Sequence, residues 1–260
     1  MFGQVAPTPY DLRFQIFGIP VRVHPVFWVL SAYLGWVKDR LDIVAVQMAC
    51  IFLAILVHEM GHALVTRHFG WQPEIVLHMF GGYATSARHS TWKDIAVSAA
   101  GPAAGFLLVL SIWVPCEVLQ LFRPGSTVLY QIFDPEAMRN WPEAIKLGTR
   151  GNDLVRAAIR CSLWFNFAVN LINLLPVFPL DGGQISREYW LWAKPRQGMK
   201  ISLVLGIVTG GSIAAWGAYS MKFPDAAWSF GGNGLFLGLM FGYLAYMSYE
   251  ELQKSSGRQW

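Results

Sequence analysis

His58 and His62 stand four residues apart in LAILVHEMGHALVTRH, with Glu59 beside the first of them. On a helix that spacing puts both imidazoles on one face, where they can share a tetrahedral metal ion. Glu59 then lies next to the metal's open position and can take a proton from bound water, which is hydrolytic chemistry. The same three groups could instead form a hydrogen-bonded cluster in a bundle interior or part of an ion path, because ionisable residues at membrane depth also serve transport. Three-coordinate catalytic zinc needs one more protein ligand. NLINLLPVFPLDGGQ offers it: Pro176 and Pro179 stop a helix, which predicts an extended segment carrying Asp181 ahead of the turn residues Gly182 and Gly183. A lone Asp-Gly is commonly a surface turn. Here the carboxylate follows an apolar span in which Asn173 is also embedded, and two polar groups bracketing an unwound segment mark a candidate site.

These residues sit in a chain suited to a bilayer. Of 260 residues, 54% are hydrophobic, 15% aromatic and only 14% charged, against about 25% charged in a soluble domain. The mean hydropathy is +0.38. A polytopic membrane protein is expected. The formal charge of +4 suits basic loops near lipid headgroups. No basic stripe with stacking aromatics is present, so no nucleic-acid partner is expected. Cys50, Cys116 and Cys161 lie in apolar surroundings without CxxC spacing and imply no disulfide framework. The N-terminus lacks the charged-then-apolar order of a cleaved signal, which predicts membrane entry through internal spans.

Apolar stretches cover roughly 25–37, 43–66, 94–122, 157–176, 199–220 and 231–249. A spanning helix needs about 20 residues, so the first is short and the others suffice. The fold class expected is all-α, with about six transmembrane helices. Residues 1–260 read as one domain with a core at 43–185 and C-terminal helices within 199–249. The 123–156 segment reads as a loop with an amphipathic piece. Lys and Arg divide almost evenly between the two sides, but most on one side belong to that long loop. This favours termini in the cytoplasm of a cell-membrane protein. Between the second and third spans, PEIVLHMFGGYATSARHS places β-branched and aromatic residues around Gly81-Gly82, the signal of a tight hairpin turn. Such a hairpin can re-enter the protein at membrane depth. His24, before Pro25, reads as an interfacial or helix-start residue and not a ligand, and the Gly101 to Gly105 stretch as close helix packing by small residues.

HEMGH, then Phe80-Gly81-Gly82, then AAGPAAG at 99–105, then NLLPVFPLDGG at 173–183 form an ordered set that resembles the site-2 proteases, the zinc-dependent intramembrane peptidases. The likeness covers roughly 43–185, and FGIPVRVHP near the start shares it. With no PDZ or CBS domain visible, it points to the compact branch. The chain lacks the asparagine that many members carry after the Gly-Pro pair. The resemblance implies one zinc ion held by His58, His62 and Asp181, with Glu59 as the base and Asn173 at the scissile carbonyl or its oxyanion. It implies hydrolysis of a peptide bond in or near a transmembrane segment of a membrane-protein substrate. The hairpin at Phe80, Gly81 and Gly82 would receive the unwound segment. A regulatory or inhibitory membrane partner is a further expectation. The rival reading is a transporter or ion-path protein using the same cluster.

Overall fold

The computed structural model describes residues 6–78, 81–84, 90–119, 153–223 and 234–256. The chain divides into two compact units, Met1–Ala87 with Ala100–Asn170, and Arg88–Ala99 with Leu171–Trp260.

The first unit begins with alternating residues that form strands β1 (Leu12–Ile16) and β2 (Ile19–Val23). Phe17 and Gly18 between them both take positive φ, 51° and 75°, the left-handed pair that matches a two-residue hairpin to strand twist. Thr8 Oγ1 and Arg22 donate to the Asp11 carboxylate at 2.6 and 3.0 Å, in front of β1. The Thr8 hydrogen bonds, and secondarily Arg22, hold that carboxyl well below the usual range. Strand β3 (Ile75–His78) lies parallel to β2, with Val21 opposite Ile75 and Val23 opposite Leu77. Strand β4 (Gly81–Ala84) closes the order β1-β2-β3-β4 antiparallel to β3. The sheet is therefore larger than the single hairpin expected.

Helix α1 (Pro25–Leu34) starts where Pro25 occupies its first turn and His24 Nδ1 accepts from the Val26 N–H at 3.3 Å. Of the two roles expected of His24, this is the helix-start one. Helix α2 (Leu41–His68) is apolar on nearly every side. Ile19, Val21, Val23, Ile75 and Leu77 of the sheet pack into one core with Phe27 of α1 and Ile51, Ile55, Leu56, Met60 and Ala63 of α2. The sheet thereby braces the helix that carries the histidines.

Helix α3 (Thr91–Val118) follows, and helix α4 (Asp153–Asn173) stops three residues before Pro176. The expected 123–156 loop lies largely outside the described residues. In the second unit, helix α5 (Asp181–Ala193), helix α6 (Gly198–Lys222) and helix α7 (Gly234–Ser256) follow in order. Val177, Phe241 and Leu244 form the buried centre there, with Ile213 and Leu237 against them. The described chain is mostly helical, and α2, α3 and α6 are long and apolar enough to cross a membrane.

Candidate metal centre

The α2 register delivers the trio as the spacing requires. His58, Glu59 and His62 are all buried, and their ligand atoms lie within 4.8 Å of one another. The two imidazoles meet edge to face, with ring planes 81° apart. Their Nε2 atoms approach to 3.1 Å. A tetrahedral zinc ion bound at about 2.0–2.1 Å from each nitrogen spans a bite of about 3.3 Å, so the pair fits a shared metal with minimal movement.

Close approach of α3 shapes this pocket. A Cβ on Gly61 would sit 2.3 Å from the Ala100 carbonyl oxygen, so α2 and α3 touch backbone to backbone there. A Cβ on Gly101 would lie 2.2 Å from His62 Nε2, and one on Gly105 would lie 2.0 Å from Asn170 Nδ2. The small residues at 101 and 105 thus make room for polar side chains as well as for a helix. Asn170 is itself buried on α4, and its Oδ1 lies 2.8 Å from His58 Nδ1. Sequence reasoning missed this residue. Its signal was there in FNFAVN: Asn166 and Asn170 repeat at helical spacing inside an apolar run.

Comparison with known proteins gives the family. The description Peptidase family M50 matches residues 46–210. The chain belongs to peptidase family M50. The expected resemblance to site-2 proteases holds, and this M50 member is a zinc metalloprotease. Stage IV sporulation protein FB of Bacillus subtilis is 24% identical over 91% of this chain and 67% of its own length. A zinc metalloprotease of Methanocaldococcus jannaschii is 25% identical over 68% of the chain, which covers 45% of that protein. The solved site-2 protease from the same archaeon shares the fold, with a TM-score of 0.57 at 21% identity over 94% of this chain and 95% of that one.

The M50 member's other expected residues are held differently. Asn173 is the half-buried last residue of α4, and Asp181 is the buried first residue of α5. Both belong to the second unit. The helix does break near the prolines, as expected. However, residues 174–180 wind through tight turns, with Val177 N–H donating to Leu175 O at 2.7 Å and Leu180 N–H to Val177 O at 2.8 Å. Gly182 and Gly183 are the first turn of α5 and not a surface turn. Their size is demanded by packing: a Cβ on Gly182 would meet the Leu174 carbonyl oxygen at 2.1 Å, and one on Gly183 the Val177 carbonyl at 2.5 Å.

Strands β3 and β4 pair antiparallel, but Gly81 and Gly82 do not form the turn between them. Gly81 pairs with His78 and Gly82 with Leu77, so both glycines are strand residues of β4 and not the turn predicted. Phe80 lies outside the described residues. His78 is buried at the end of β3, and His68 closes α2.

Proposed function

We propose that this chain hydrolyses a peptide bond in or near a transmembrane segment of a membrane-protein substrate, with one zinc ion held by His58, His62 and Asp181. The observation that carries the reading is the buried pair of Nε2 atoms 3.1 Å apart, with Glu59 one residue from the first. When bound, zinc supplies Lewis acidity at the carbonyl and lowers the pKa of water. Glu59 accepts the proton of the attacking water and returns it to the leaving amine. Asn173 donates to the developing oxyanion. A helical substrate conceals its carbonyls and must unwind first. β4 lies at one end of the sheet order, and its outer edge, which carries Gly81 and Gly82, is where an unwound segment would add as a further strand, with Phe80 as a further substrate contact.

The same proposal takes the chain as one catalytic domain of about six spans, its hairpin re-entering the membrane. It places the termini and the opening of the active site toward the cytoplasm of a cell membrane, with a separate membrane protein regulating access. Transport is disfavoured because the family is one of peptidases.

Terminal-peptide mass spectrometry of membranes from cells expressing the chain or Glu59→Gln tests the reading. New termini within transmembrane segments are expected with the native chain alone. The same set of termini from both would reject Glu59 as the base.

A further inference from the structure

Asn170 forms a hydrogen-bonded link between two helices at Nδ1 of His58, the nitrogen of that ring that does not face His62. Its orientation can be deduced. The Asn170 Nδ2 atom lies 2.6 Å from the backbone oxygen of Asn166, a group that only accepts. A flipped amide would press two oxygens together there, so the nitrogen end is fixed toward Asn166 and Oδ1 toward His58. Oδ1 also only accepts. The His58 Nδ1 atom at 2.8 Å must therefore carry the hydrogen, and a neutral His58 keeps its lone pair on Nε2, the atom that faces His62.

We infer that Asn170 is a positioning residue of the metal site, holding His58 in the Nδ1-protonated tautomer so that Nε2 is presented to the cation, in a space that Gly105 leaves open. The inference rests on the reading of His58 as a zinc ligand. Three features converge on it. The amide is almost wholly inaccessible, at 1% exposure, so water does not compete for Nδ1. Its other end is tied to its own helix, so the acceptor is aimed before any metal arrives. The contact joins residues 112 positions apart, so it locks α4 to α2 at the site. Outer partners of this kind orient a ligating imidazole and select its tautomer, and their loss costs about 10–100-fold in metal affinity.

Zinc affinity of the purified full chain, measured by chelator competition and checked by metal content, decides the matter. Asn170→Ala should weaken zinc about 10–100-fold. Gly105→Ala should weaken binding in the same direction as Asn170→Ala. Leu163→Ala, a buried change on the same helix packed with Val109 and Cys116, should lower thermal stability and leave affinity alone. A native-like affinity for Asn170→Ala overturns the inference. Equal weakening by Leu163→Ala also overturns it, because the effect is then general loosening. ¹⁵N-histidine NMR of the metal-free native chain needs no variant: a protonated Nδ1 on His58 is expected, and a protonated Nε2 with bare Nδ1 refutes it. If His58→Ala binds zinc as tightly as the native chain, the ligand reading itself fails, a result distinct from failure of the Asn170 role alone.

Discussion

Two helix pairs in this protein are drawn together by glycine, and they use the closeness differently. Between α6 and α7, a Cβ on Gly217 would meet the Gly238 amide nitrogen at 2.7 Å and the Gly234 carbonyl oxygen at 2.8 Å. Backbone rests on backbone, and the gain is packing. Between α2 and α3, Gly61 makes the same sort of contact with Ala100. Gly101 and Gly105, by contrast, open space that the His62 ring and the Asn170 amide occupy. Similar composition therefore produces a structural seam in one place and a polar pocket in the other. What differs is the atom waiting where the missing methyl would be.

That contrast predicts separable losses. Glu59→Gln leaves both seams intact and should reduce turnover by about 10²–10⁴-fold while zinc stays bound, as general-base removal does. Turnover assays paired with metal analysis check this. Gly101→Ala comes next. The clashing atoms belong to a side chain that can rotate, so the chain should still fold while His62 swings from its partner. Zinc affinity should drop by more than about 100-fold, beyond the effect of losing an outer partner. Retained zinc there would place Gly101 with Gly217 as a packing residue.

Gly217→Ala should behave in the opposite way. Backbone cannot step aside, so overpacking should cost about 1–3 kcal/mol of stability, visible in thermal unfolding, with zinc affinity unchanged. Gly211→Ala is the smallest effect. Nothing lies within 4 Å of its Cβ position on the same helix, so replacing a helical glycine should stabilise by about 0.5–1 kcal/mol. A loss at 211 equal to that at 217 would mean that glycine content, and not contact, governs this helix. A proline at Gly82 or Tyr83, whichever donates from the outer edge of β4, extends the test to the substrate. Cleavage should stop with zinc still bound, and full activity in both variants removes the edge strand from the mechanism.

Much of the site was legible because it is local. An i, i+4 histidine pair needs only a helix to bring it together, and the apolar run around 43–66 supplies that helix. The break before Pro176 was equally plain. Other features were misread where one residue type serves two ends. Gly81-Gly82 and Gly182-Gly183 both look like turns, yet the first pair begins a strand by pairing with Leu77 and His78, and the second begins a helix where neighbouring backbone comes too close for a Cβ. The alternation in LRFQI and IPVRV did carry the signal of the first hairpin. Its short strands at the edge of a membrane chain were overshadowed by the long apolar stretches.

By itself, the sequence determined a helical membrane peptidase and a histidine–glutamate–histidine face, because hydropathy and helical spacing act within a few residues. Only the tertiary structure decided that β2 lies parallel to β3, that Gly101 and Gly105 are spaces for polar groups, and that Asn170 caps His58. Those outcomes depend on atoms from distant segments excluding one another or sharing a hydrogen, and no local pattern specifies which segments will meet.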